Sequence, residues 1–115
     1  MRLKDYQRFV KNSASPKYDN KLAIVGLMGE VGELADVVKK ETIYEDMSKF
    51  EKKYGMSVRD KIVSEIGDVL WQLTLVMIKY DTTFEEVVTH NVEKLTNRHG
   101  GTTTATDGGI RKDND

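Results

Sequence analysis

The stretch Gly26–Lys40, "GLMGEVGELADVVKK", decides the fold. Leu27, Val31, Leu34, Val37 and Val38 recur at the three- and four-residue spacing of a helix that packs along one side. With successive residues turned by about 100°, Val37 falls between Glu30 and Glu33, Lys39 falls opposite Glu30, and Asp36 lies well round toward the polar side. The helix therefore has a wet face, and Glu30 and Glu33 are not on it. They project from the margin of the apolar stripe.

The pattern occurs twice. In Ser64–Val76, "SEIGDVLWQLTLV", Glu65 and Asp68 stand to Val58, Ile62, Val69 and Val76 as Glu30 and Glu33 stand to their own apolar neighbours. A single ExxE is ordinarily a solvated face. Two acid pairs, "EVGE" and "EIGD", at the edges of two apolar stripes argue for convergence in a helical core. Four convergent carboxylates repel one another and resist desolvation, so they need protons, buried cationic partners or a metal ion. Hard divalent cations such as Mg²⁺ and Mn²⁺ take oxygen ligands of this kind, and acids at i and i+3 on two facing helices can surround them. Gly29, Gly32 and Gly67 each cost helix propensity of about 1 kcal/mol relative to alanine, which points to close approach of backbone or ligand beside the acids.

Outward from these two helices the whole chain reads as all-α, with no period-two alternation strong enough for a strand. A short first helix, Leu3 to Lys11, ends before Pro16. The second starts at an N-cap of Asp19 or Asn20 and runs at least to Lys40, at most into Glu45. Residues 41–56, "ETIYEDMSKFEKKYGM", carry dense mixed charge and suit a solvated helical extension or an ordered loop. The third helix opens at Ser57, with Asp60 three residues on, and reaches Tyr80. Thr83 with Glu86 starts a fourth, Phe84 to Arg98, which the glycines at 100 and 101 stop. Residues 102–115 read as a polar tail.

On the fourth helix Asn91 falls inside the apolar stripe of Phe84, Val87, Val88, Val92 and Leu95, with Lys94 and Arg98 along one edge. Lys40 shares the bearing of Glu33 on the second helix. An amide and several cations beside an apolar face suit phosphate recognition, and equally a buried amide with snorkelling cations. Trp71 and Leu75 belong to a helix apolar nearly all round, which predicts core or subunit interface.

Composition excludes several classes. With 115 residues and a net charge of −1, the chain has room for one modest core and lacks the basic footprint of a nucleic-acid polymer binder. It has no cysteine, hence neither disulfides nor thiolate metal sites. The longest nearly apolar run, "VLWQLTLVMI", is too short to span a membrane, and no signal core opens the chain, so a cytoplasmic setting is expected. Neither His90 nor His99 completes an ExxH di-iron pattern, and no GK[ST] phosphate loop occurs.

The motif Glu30, Glu33, Glu65 and Asp68 resembles the ExxE…ExxD of MazG-type, all-α nucleoside triphosphate pyrophosphohydrolases. "GLMGEVGELADVVKK" and "SEIGDVLWQL" are similar to that family's two metal-binding helices, "NVEKLTNRHGG" to the helix that follows, and "LKDYQRFV" to the first helix of small members. "GGIRKD" resembles a degraded form of their C-terminal tail. The resemblance implies a MazG-like bundle of about four helices over residues 1–101 and a dimer or dimer of dimers; the tail over 102–115 reads as mobile on composition alone, the alternative being that it orders over the site. It implies hydrolysis of a (d)NTP to (d)NMP and diphosphate with Mg²⁺, Mn²⁺ substituting. Glu30, Glu33, Glu65 and Asp68 would hold metal, Glu30 or Glu33 would position water, and Lys40, Asn91, Lys94, Arg98 and Arg111 would bind substrate. Asn91, Tyr6 and Gln7 are the candidates for reading the base. The alternative is a helical nucleotide sensor or interaction protein without turnover. The 31 residues between Glu33 and Glu65 form a longer spacer than the family pattern, and residues 41–56 replace its usual histidine- and glycine-containing link.

Overall fold

A computed structural model describes residues 1–17 and 19–99. Among these residues every regular element is helical: α1 Leu3–Ser13, α2 Asn20–Ile43, α3 Ser48–Tyr54, α4 Val58–Lys79 and α5 Phe84–His99. The expected count of about four helices is therefore one short. The additional helix, α3, lies in the charged connector, because lysine and glutamate are good helix formers once ends are supplied. Asp46 accepts the Ser48 N–H at 2.9 Å at its start. Gly55 ends it with φ 68°, the left-handed conformation that glycine adopts without a Cβ clash. Between these ends Phe50 and Tyr54, four residues apart, bring their ring centroids to 4.7 Å.

The start signals read from sequence are made. Asp19 accepts the Leu22 N–H at 2.8 Å and Ser57 accepts the Asp60 N–H at 3.1 Å, each satisfying one of the free donors of a helix N-terminus. A cap absent from the sequence reading is added by Glu51 of α3, whose carboxylate accepts the Val58 N–H at 2.9 Å. Thr83 accepts the Glu86 N–H at 3.1 Å at the head of α5.

The chain divides into two compact units, one of Met1–Asp81 and another beginning at Thr82. In the first, α2 packs along α4, while α1 and α3 rest on other parts of α4. Val10 of α1, Ala23 of α2 and Leu75 of α4 meet in the core, with Tyr6, Ala14, Trp71, Val76 and Ile78 packed round them. Ala23 offers little side chain there, so α2 can come close to α4. Leu75, expected as core or interface, is core: it is 1% exposed within its own chain. Thr74, equally enclosed, spends its hydroxyl on the Leu70 carbonyl at 2.7 Å. The second unit, among the described residues, is α5 alone. No helix among the described residues is long and apolar enough to cross a membrane.

Candidate metal centre

Pairing α2 with α4 brings the two acid motifs face to face. Glu30, Glu33 and Glu65 each place one carboxylate oxygen within 4.8 Å of the others. Glu65 is almost wholly buried, Glu30 is half-buried and Glu33 is exposed, so the trio grades from core to solvent. Asp68 is exposed and lies outside this group, although it is near enough to act electrostatically on Glu30 and on Tyr6 of α1.

The electrostatics are those of an unbalanced acid cluster. Burial pushes the Glu30 carboxyl above its usual 4.5, and the charges of Glu33 and Asp68, a hydrogen bond with Glu33, and Glu65 all press the same way. Burial also raises the Tyr6 hydroxyl, with Asp68 adding to the effect. Among the described residues one compensating cation is present: Lys61, a turn before Glu65, lies 3.0 Å from that carboxylate. Lys61 also sits 4.4 Å from the centre of the Tyr54 ring, so α3 and α4 together fix it.

Lys61 answers only one oxygen of Glu65. Among the described residues, Oε2 of Glu65 and Oε2 of Glu30 are buried and have no hydrogen-bond partner. An unsatisfied buried polar atom costs about 1–3 kcal/mol, more when charged, and two on adjacent acids are not a resting arrangement of protein alone. An oxygen-seeking divalent cation fits them: the donors are all carboxylate oxygens, from opposing helices, within reach of one another. Beside them opens a cleft of about 430 Å³ lined by Gly29, Gly32, Glu33, Asp36, Val37, Tyr54, Lys61 and Glu65. Among the described residues, methyl groups at Gly29, Gly32 or Gly67 would meet nothing within 4 Å. Close approach of backbone from those residues, one of the two reasons inferred for these glycines, thus does not account for them; Gly29 and Gly32 leave space in the cleft wall.

These features lie inside a recognisable sequence unit: the family model described as "MazG nucleotide pyrophosphohydrolase domain" matches residues 19–102. The chain belongs to the MazG family. The match takes in α2 to α5, and with them all four motif acids. Among curated proteins, this MazG chain is 26% identical over 102 residues to "Uncharacterized protein YvdC" of Bacillus subtilis (strain 168), covering 85% of this chain and 96% of the relative. It is 34% identical over 74 residues to "Gene 37 protein" of Mycobacterium phage L5, covering 64% of this chain and 60% of that protein. No solved structure matches.

The remaining expected site residues of the MazG domain are distributed as follows. Lys40 is turned to its own helix, its ammonium 2.8 Å from Asp36 one turn back. That pairing holds the Asp36 carboxyl below its usual range. Asn91, Lys94 and Arg98 are carried by α5 in the second unit. Arg111 and the tail lie outside the described residues. Lys61 and Tyr54 were not singled out from sequence. Lys61 had a signal, standing four residues before Glu65 at ion-pair spacing; Tyr54 had none, because its position depends on how the connector folds.

Proposed function

We propose that this MazG chain is a Mg²⁺-dependent nucleoside triphosphate pyrophosphohydrolase that converts a (d)NTP to a (d)NMP and diphosphate, with Mn²⁺ able to replace Mg²⁺. The observation that carries the reading is the meeting of Glu30, Glu33 and Glu65 with two buried, unpartnered oxygens in a family of nucleotide pyrophosphohydrolases. Glu30, Glu33 and Glu65 would hold the ion, with Asp68 at the edge of the group. When bound, the ion supplies positive charge to the phosphoryl oxygens and lowers the pKa of coordinated water.

The chain's own groups do the rest. Glu33, at the solvent edge, or Glu30 in its ionised form orients the attacking water and receives its proton. The water oxygen joins the α-phosphorus as the bond from that phosphorus to the bridging oxygen of the β-phosphate breaks, and diphosphate carries away the electron pair. Lys40, Asn91, Lys94, Arg98 and Arg111 serve the substrate, the cations offsetting charge on the phosphates and leaving group.

The working form is a dimer or dimer of dimers. In support, Ile24, Val31 and Val38 on α2 and Ile66 and Leu73 on α4 recur every seven residues and are each 41–49% exposed, a row suited to another helical surface. We place the reaction in the cytoplasm, with no nucleic-acid polymer as partner, in keeping with a net charge of −1.

The test is to incubate the protein with each common ribo- and deoxyribonucleoside triphosphate and Mg²⁺, and identify the products. Monophosphate with diphosphate is the expected outcome, abolished by Glu33→Gln. Tight binding with no turnover would instead make the protein a nucleotide sensor.

A further inference from the structure

A second cleft, of about 370 Å³, lies between the end of α2 and α3, lined by Lys40, Tyr44, Lys49, Phe50, Lys53 and Tyr54 and by one acid, Asp46. Its chemistry differs from that of the acid centre. Three lysines surround aromatic rings, Lys40 among them already paired with Asp36, while two acids of the connector have partners of their own: Asp46 accepts from the Ser48 N–H and hydroxyl, and Glu51 caps α4. Among the described residues neither Lys49 nor Lys53 enters an ion pair, and Lys53 instead lies 5.4 Å from the centre of the Tyr54 ring. Phe50 and Tyr54 meet at a tilt of 50° with their centroids 4.7 Å apart.

Aromatic faces inside a ring of ammonium groups suit a flat, anionic ligand, because stacking is gained on the rings and charge is answered by the lysines. The volume is within the range of small-molecule sites. Tyr54 also lines the acid cleft, so the two clefts adjoin at one side chain and a single extended ligand can occupy both. Resting on the pyrophosphohydrolase reading of the acid centre, we propose that the α2–α4 connector forms the nucleoside subsite, with the base against the Phe50 ring and Lys49 and Lys53 drawing in the phosphates. Selectivity among nucleotides then resides in the connector, and bond cleavage in the acids.

Steady-state kinetics on the best (d)NTP, with inorganic triphosphate as a competing probe, tests this in the parent, Phe50→Leu and Lys49→Gln/Lys53→Gln. Leucine keeps apolar volume and removes the ring face; glutamine at two exposed positions leaves folding intact. Phe50→Leu should raise KM about tenfold with kcat within about twofold, and leave inhibition by inorganic triphosphate unchanged. The double lysine variant should raise KM about fivefold, weaken the inorganic triphosphate similarly, and flatten the dependence of KM on salt. Normal KM in both variants, alongside turnover that Glu33→Gln abolishes, would overturn the connector subsite alone. Lysine effects without a Phe50 effect would overturn the base assignment. A parent that neither binds nor hydrolyses any (d)NTP would overturn the pyrophosphohydrolase reading itself.

Discussion

Lys61 and Glu65 form a 3.0 Å ion pair on one face of α4, with only 8% of the glutamate side chain exposed. Among the described residues this lysine is the one positive charge paired directly with the buried acid. Replacing it by methionine keeps the stem and removes the charge, so repulsion within the acid trio increases. In chelator the Lys61→Met variant should melt several degrees below the parent. Saturating Mg²⁺ should recover most of that loss, since a divalent ion supplies the missing charge. Thermal melts with and without metal check this; a loss that Mg²⁺ does not reduce would make Lys61 a packing residue.

The raised Glu30 carboxyl gives the metal-free protein a pH signature. Its folded pKa lies above the ordinary 4.5, so between the two values the folded state binds more protons than the unfolded chain, and stability falls as pH rises. The contribution is whole below about 4.5 and is lost as pH climbs through the elevated folded value. Urea melts in chelator should therefore show stability decreasing across that interval. Glu30→Gln should flatten the decrease, and at neutral pH should be as stable as the parent or more so. Mg²⁺ should protect the parent far more than the variant, because glutamine is the poorer ligand.

The glycines separate cleft from scaffold. All three have open space where a Cβ would stand, so alanine at each should raise stability by about 1 kcal/mol through helix propensity. Only Gly29 and Gly32 border the acid cleft. Gly67→Ala should thus stabilise with activity intact, whereas Gly32→Ala should stabilise and weaken substrate binding. Equal KM values in the two variants would remove the cleft wall from any role in binding.

The heptad row on α2 and α4 carries the assembly prediction. Val31→Glu together with Ile66→Glu places charge at two half-exposed apolar positions without touching Val10, Ala23 or Leu75 in the core. Sedimentation at micromolar concentration should show the parent as at least a dimer and the double variant as a folded monomer. A monomeric parent would end the oligomer reading.

Most of this fold could be read from period and caps. Asp19, Ser57 and Thr83 announce three helix starts, and the apolar stripes of α2 and α4 state which sides meet. The acid pairs were legible for the same reason, since a carboxylate on the margin of a buried stripe must go where the stripe goes. Asp68 shows the limit: its bearing on α4 matches that of Glu33 on α2 and both are exposed, yet only Glu33 brings an oxygen within 4.8 Å of the other acids, because an angle round a helix says nothing about depth along the neighbouring one. The connector was illegible on different grounds. Its helix rests on two end caps and a ring pair, local bonds with little apolar periodicity to announce them, and the Lys61–Tyr54 contact exists only once α3 has been folded back onto α4.

The hydrogen bond from the Val58 N–H to Glu51 fastens the connector to the first turn of α4, and this has a kinetic consequence. The acids arrive from two arms separated by 31 residues, a closure whose entropic cost rises only slowly with length. With the turn region pinned at α3, the hairpin can zip from Ile43 and Val58 toward Ala23 and Leu75, and the like charges of Glu30, Glu33 and Glu65 are pushed together part-way along, before that core closes. Folding and charge neutralisation then become one event. A chain refolding in chelator must climb an electrostatic slope midway along its path, whereas cations in the refolding buffer level it. Magnesium should accordingly speed the zipping of the hairpin past the acids, which would make the ion a folding accelerator in addition to its proposed place at the site.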